Sequence, residues 1–341
     1  MKFCVISFFF ILTLLCQAET RNWYYGTGLD GKAKEFFGTT DMHSRFLNGK
    51  SRSVTFWENR LSVINNGLDS VKNALKSAPE GPEKNSLIDK NYKLINDKAR
   101  CLVYLKKADE ALEILTKLEK VWSGESIVAE NLAVCYDLKK DYSKALEWIQ
   151  TAINRNQMSL YSNLWVYEKI LEARKEYEKD KNYLVDHSVS GLIISQDKKL
   201  AALDLSRIEN FQKRWSLAGK AKHIREQLKT QLELHDIEND PVIAHLMEEL
   251  GCIYAVNEVC EVALPVFELA QKYGHPETEL IANRIAQMKS LISGNDRSMD
   301  YSRSIFEKVS KGAWILYSTI GVLLLLLGYV WVTGKKRSID S

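Results

Sequence analysis

Two stretches of this chain repeat one another at a fixed distance, and that period limits the available folds more than any other feature. "KADEALEILTKLE", around Ala111, aligns with "DYSKALEWIQTAI", around Ala145, 34 residues later. The match runs upstream: Ala99 falls opposite Ala133, Cys101 opposite Cys135, and Leu102 opposite Tyr136, while Leu112 falls opposite Leu146. A third copy, "MEELGCIYAVNEVCEVALPVFELAQKYGHP", puts Gly251 in the place of Ala133, Tyr254 in that of Tyr136 and Ala263 in that of Ala145. Apolar residues recur at helical spacing on both sides of a polar break, "KKD" in the middle copy, so each copy predicts a helix, a turn and a helix. The chain has only 5 Pro and 17 Gly in 341 residues, which argues against a turn-dense all-β fold. An all-α body is expected.

The spacing resembles the tetratricopeptide-repeat (TPR) family, whose unit is a 34-residue helical hairpin. The family's first-helix pattern falls on Met247, Leu250, Gly251 and Tyr254, and its second-helix pattern on Ala263, Phe267, Ala270 and Pro276. Residues 126–159 match with Leu132, Ala133, Tyr136, Ala145 and Ala152, but carry Ile149 for the aromatic and lack the proline. Residues 92–125 have Lys98 where leucine is expected. The resemblance implies a solenoid of hairpins with clear repeats at 92–125, 126–159 and 244–277. Ala99, Ala133 and Gly251 then stand where paired helices approach closely, and Leu115, Tyr136, Tyr254 and Phe267 fill the remaining volume.

Around the repeats, residues 19–53 are glycine-rich and aromatic with no helical period, and read as an irregular segment packing back through Trp23, Tyr24, Phe36 and Phe37. Trp57, Leu61, Ile64, Leu68, Val71 and Leu75 form one stripe of a helix over 54–78, placed to cap the array. A further helix follows the second repeat without a small residue at the expected offset. The pattern breaks over 186–205, a long helix runs from Arg207 to about Leu234, and the array resumes near Pro241. The TPR-like domain thus spans 54–293.

The two ends predict the compartment. Residues 1–18 have a lysine, an apolar run from Phe3 to Leu15 and small residues before a cut after Ala18, as in a secretory signal peptide. Acylation at Cys16 is the other reading, but Leu15 sits where a small residue is expected. Residues 313–332 carry no charge over 20 positions, enough to span a bilayer, with Trp314, Tyr317, Tyr329 and Trp331 toward the edges. A buried core helix is the alternative. The expectation is an exported body, periplasmic or extracellular, joined by a tether over 294–312 to one transmembrane helix, with residues 333–341 in the cytoplasm. The mature chain keeps Cys101, Cys135, Cys252 and Cys260, whose spacings suggest no disulfide framework and fit use as small buried hydrophobes.

No catalytic constellation stands out. "GTGLDG", Gly26 to Gly31, has the letters of a dinucleotide fingerprint without the strand and βαβ context it needs, and reads as a glycine loop. "HLMEE" places His245, Glu248 and Glu249 on one helix, with His245 and Glu249 able to share a face. A zinc hydrolase motif needs a second histidine where Glu249 stands, so the three read as an exposed or groove-facing polar face. His43, His187, His223, His235 and His275 form no ligand cluster by spacing. Lys plus Arg, 47, nearly balance Asp plus Glu, 44, so nucleic acid is not an expected partner. No cofactor, metal or small-molecule substrate is evident. The TPR resemblance implies a groove along the first helices, lined here by Asn96, Arg100, Tyr104, Glu130, Val134, Asp137, His245 and Glu248, that takes proteins or peptides. The expected function is a membrane-anchored scaffold. The alternative is a metal-dependent hydrolase with its site in the interrupted region or the N-terminal segment.

Overall fold

The computed structural model of the protein describes residues 23–37, 52–156, 162–192, 211–235 and 239–294. Among the described residues, one strand pair precedes eleven helices. The first helix, α1 (Val54–Ser77), starts where the Ser53 hydroxyl accepts from the Phe56 amide, a side-chain N-cap. It buries Trp57, Ile64, Leu68 and Val71, four positions of the predicted stripe, and packs on α2 (Pro82–Tyr104).

Two helical pairs carry the adjacent repeats: α2 with α3 (Ala108–Val121), and α4 (Ser126–Leu138) with α5 (Tyr142–Arg155). Their turns match. Lys106 and Lys140, 34 residues apart, are the two non-glycine residues with positive φ among those described, at 62° and 59°. At each, the residue's own amide donates three residues back and the next amide donates five back, to Val103 and Leu102 in one turn and to Asp137 and Tyr136 in the other. That is the Schellman arrangement, which satisfies the last carbonyls of the first helix and reverses the chain. "KKD" is therefore the turn it was predicted to be, and Asp141 starts α5 by accepting from the Lys144 amide.

The small positions are packing positions. Ala99, Ala133, Leu115 and Ile149 are fully buried in one core. In the third copy, α9 (Pro241–Asn257) packs on α10 (Cys260–Lys272), with Phe267 fully buried against Gly251. α11 (Thr278–Ser293) follows.

Between the second and third copies the hairpin is truncated. Tyr167 stands 34 residues after Ala133, on α6 (Leu164–Lys179), and α7 is one turn, Tyr183–Asp186. A tyrosine at the small position prevents close helix approach, and its hydroxyl reaches across to Asp137 of α4 instead. The long helix α8 (Phe211–Leu234) then spans two cores. Ala221, Ile224 and Leu228 lie with α9, α10 and α11, whereas Leu234 lies among the residues of α2 to α6.

The body is thus helical and repeat-like, compatible with a TPR-like fold. The N-terminal segment departs from the irregular reading: β1 (Trp23–Thr27) pairs antiparallel with β2 (Ala33–Phe37). Aromatic residues favour a pleated strand, and the glycines that looked loop-like form the connection, where Gly28 donates to the Lys32 carbonyl and Gly31 has φ 75°. The hairpin is fastened to α10, since both the amide and the hydroxyl of buried Thr27 donate to the Glu261 carboxylate at 2.8 Å. Among the described residues no helix is long and apolar enough to cross a membrane. The leader over 1–18, the tether beyond Gly294, the span over 313–332 and the tail over 333–341 lie outside the described residues.

Candidate functional site

The face predicted to form an open groove is largely filled by the chain itself. Asn96, Val134 and Asp137 are buried, Tyr104 and Glu130 are half-buried, and Arg100 is exposed. Asn131 donates to the Asn96 side-chain oxygen at 2.9 Å, a contact between α4 and α2. The end of α8 covers what remains: Lys106 donates through Nζ to the Leu234 carbonyl, and His235 Nε2 lies 3.2 Å from Asp137 Oδ2. Asn96, Val134 and Asp137 hold first helices and α8 together, which corrects their assignment to a free binding surface.

Asp137 is the centre of that junction. Arg174 Nη1 reaches both of its oxygens, at 2.9 and 2.8 Å, and the Tyr167 hydroxyl donates to Oδ2 at 3.0 Å. Burial alone would raise the carboxyl, but the Arg174 charge and the hydrogen bonds from His235 and Tyr167 outweigh it and hold the pKa at about 2. Arg174 Nη2 also donates to Asp240 at 2.7 Å, while the other oxygen of Asp240 caps α9. One guanidinium therefore joins α4, α6 and the start of α9.

The repeat face stays open at its N-terminal end. There a cleft of about 270 Å³ is lined by Arg52, Phe56, Trp57, Arg60, Asp97 and Arg100, among others. Trp57 stacks on Tyr104 with ring centroids 4.0 Å apart and planes 4° apart. The Arg52 guanidinium lies 5.2 Å from the Phe56 ring centre, and that of Arg100 lies 6.0 Å from Tyr104. No described carboxylate forms an ion pair with Arg52, Arg60 or Arg100. Three exposed arginines over an aromatic platform favour an anionic, partly apolar ligand. Of the predicted groove residues, Arg100 and Tyr104 belong here.

The second concavity encloses about 520 Å³ between the α7 end, α9 and the start of α11. His245 and Glu248 line it, as do Glu249 and Cys252. All four are buried, which corrects the exposed alternative of the reading of "HLMEE" as an exposed or groove-facing face, because the turn after α7 folds over this part of α9. Ser188 Oγ and the Val189 amide donate to Glu249 Oε1 at 2.9 and 2.6 Å, and the Ser190 amide donates to Oε2 at 2.9 Å. His245 Nδ1 lies 3.2 Å from Glu249 Oε1, on the one helix face that their spacing allowed them to share. Burial pushes the imidazole down, but hydrogen bonding to Glu249 and its charge outweigh this, so His245 is raised. Burial pushes Glu249 up, yet His245 and Ser190 hold it below the usual range.

Glu248 is in a different state. Cys252 Sγ donates to its Oε1 at 2.9 Å, and Arg284 Nε reaches the same oxygen at 3.3 Å. Burial raises its carboxyl. Behind it, His275 stacks on His245 with centroids 5.4 Å apart, and burial followed by the His245 charge lowers His275 to about 4.

The four described cysteines, Cys101, Cys135, Cys252 and Cys260, are buried thiols rather than disulfides, and burial raises the thiols of Cys101, Cys135 and Cys252. Among the described residues, no three His, Cys, Asp or Glu side chains gather in a metal-holding geometry. Sequence reading missed Arg52, Phe56 and Arg60 because α1 precedes the repeats and has no register to place them. It missed Arg174 because "EARKEYEK" reads as a solvated helix face. The chain matches no protein-family model and no curated protein.

Proposed function

We propose that this protein is a TPR-type scaffold, exported and membrane-anchored, that binds an acidic segment of another protein at the N-terminal end of its helical array. The observation that carries this reading is the cleft between α1 and α2, where Arg52, Arg60 and Arg100 have no carboxylate partner among the described residues and stand around the Trp57–Tyr104 stack. Guanidinium groups pair with carboxylates through directed hydrogen bonds, and an aromatic floor adds affinity for the apolar parts of the same peptide. Phe56, 43% exposed, extends the platform toward solvent. The stacked rings and the packed α1–α2 pair are preorganised, which lowers the ordering cost of binding.

Export and anchoring rest on residues 1–18 and 313–332, and would hold this surface outside a membrane. The test is a fluorescence-anisotropy titration of the full-length protein with a labelled acidic octapeptide containing one leucine and one phenylalanine. Saturable binding that weakens about ten-fold or more on Arg60→Glu with Arg100→Glu supports the reading. Binding unaffected by that double charge reversal removes it.

A further inference from the structure

The arginine cleft between α1 and α2 is too small for a run of peptide. Its volume of about 270 Å³ falls below the range of about 300 to 1,000 Å³ usual for small-ligand sites, so it encloses one side chain of a segment lying across it. Its charge is high for that size. Arg52, Arg60 and Arg100 line it with a single carboxylate, Asp97, which forms no ion pair with any of them. Two positive charges are left over. The adjoining start of α1 adds to them, because its first turn has no acidic residue to offset the positive end of the helix dipole.

One group must therefore answer several donors at once. Arg52 precedes the Ser53 cap, Arg60 stands about two turns further along α1, and Arg100 stands on α2, so the guanidinium groups come from two helices. A lone carboxylate offers one charge and two oxygens and leaves this set partly unused. A phosphate monoester puts about −1.5 to −2 charges and three acceptor oxygens on one group. The wall beside the arginines is aromatic. Phe56, 43% exposed, meets Trp57 edge-on with ring centroids 5.1 Å apart, and the Arg52 guanidinium lies 5.2 and 5.4 Å from the two ring centres. A ring carrying the phosphate gains stacking on Phe56 that a short aliphatic stem does not.

We propose that the residue of the acidic segment held in this cleft is a phosphorylated tyrosine, its phosphate among the three guanidinium groups and its ring against Phe56. This inference rests on the acidic-segment reading and narrows it to one anchoring residue. The remaining acids of the segment lie outside the cleft, where they add long-range attraction to the same arginines.

The test is a fluorescence-anisotropy titration of the full-length protein with three labelled octapeptides of one acidic sequence, whose central tyrosine is unmodified, sulfated or phosphorylated. The sulfate matches the phosphate in shape but carries a single charge. The phosphopeptide is expected to bind about ten-fold or more tighter than the unmodified peptide and about three-fold or more tighter than the sulfated one. Arg60→Gln, an exposed position whose folding is checked by circular dichroism, should shrink the ten-fold advantage to about three-fold or less. Equal binding of all three peptides, or a phosphate advantage that Arg60→Gln leaves unchanged, overturns the inference while the acidic-segment reading stands. Equal binding of the sulfated and phosphorylated peptides overturns the need for a dianion. Displacement of the phosphopeptide by equimolar inorganic phosphate assigns the cleft to the free ion and overturns the tyrosine. Binding of none of the three removes the acidic-segment reading as well.

Discussion

A β-carbon built on Gly251 stands 2.6 Å from Cε1 of Phe267, closer than two carbons approach. The same 16-residue offset separates Ala133 from Ile149 and Ala99 from Leu115, all fully buried. Across the copies the small residue shrinks to glycine where its mate is an aromatic ring, so the contact volume of each hairpin is conserved through paired changes. Gly251→Ala should cost about 1–3 kcal/mol by overpacking. In that background Phe267→Leu, which restores the pairing of the first copy, should recover part of the loss. Urea denaturation of the four proteins of this cycle measures it; strictly additive effects would contradict the pairing.

The Asp137–Arg174 pair ties the two cores, and its loss should be large. Asp137→Ala leaves a buried guanidinium with Asp240 as its remaining ion-pair partner and is expected to cost about 3–5 kcal/mol. Asp137 is held at about 2, below the usual aspartate value of 3.8, so its contribution is present above pH 3.8 and is lost as pH falls toward 2. Acid unfolding followed by circular dichroism should begin at higher pH in Asp137→Asn. An unchanged acid midpoint would count against the assignment.

α8 enters the repeat face with glutamines on its buried stripe. Gln231 is fully buried, and neither its amide nitrogen nor its oxygen has a hydrogen-bond partner among the described residues. Unsatisfied buried polar atoms cost about 1–3 kcal/mol. Gln231→Leu should therefore raise the melting temperature, whereas Leu234→Ala, which empties a core position shared with α2 to α6, should lower stability by about 2–5 kcal/mol. A destabilised Gln231→Leu protein would show that the amide has a partner.

The turn over α9 should be sensitive to pH. His245 is raised above 6.5, so its contribution is full below pH 6.5 and is lost as pH rises through its folded value. Glu249 is lowered below 4.5, so its contribution is full above pH 4.5 and is lost as pH falls. His275, lowered to about 4, runs the opposite way: its contribution is full above pH 6.5 and declines toward pH 4. The Val189 and Ser190 amides report the Glu249 anchor directly. Their hydrogen-exchange protection, corrected for intrinsic rates, should peak between about pH 4.5 and 6.5 and fall above it. In His245→Gln the fall above pH 6.5 should disappear.

Much of the architecture was legible because close packing writes itself into sequence. The 34-residue register located both adjacent hairpins and the "KKD" turn, and the lack of a small residue at Tyr167 marked where the hairpin pattern stops. The β-hairpin was not legible: glycine both ends a helical period and serves a turn, and the short strands carry no alternation long enough to read. The site was less legible still. The groove positions followed from the register, but a register cannot show that α8, with its weak apolar pattern, fills the face they line. Asp137 and Arg174 lie 37 residues apart on different helices, and Glu249 meets its turn across 59 to 61 residues. Such polar contacts depend on how elements stack, and no local pattern encodes them.

The central claim, that the cleft between α1 and α2 receives an acidic segment of a partner, is tested most directly by placing a photo-crosslinking amino acid at Phe56 in the protein expressed in its native cells. The account predicts a discrete crosslinked protein whose attached peptide is rich in Asp and Glu, and its loss on Arg60→Glu with Arg100→Glu. A crosslink that survives this charge reversal, or a peptide without acidic residues, would contradict it.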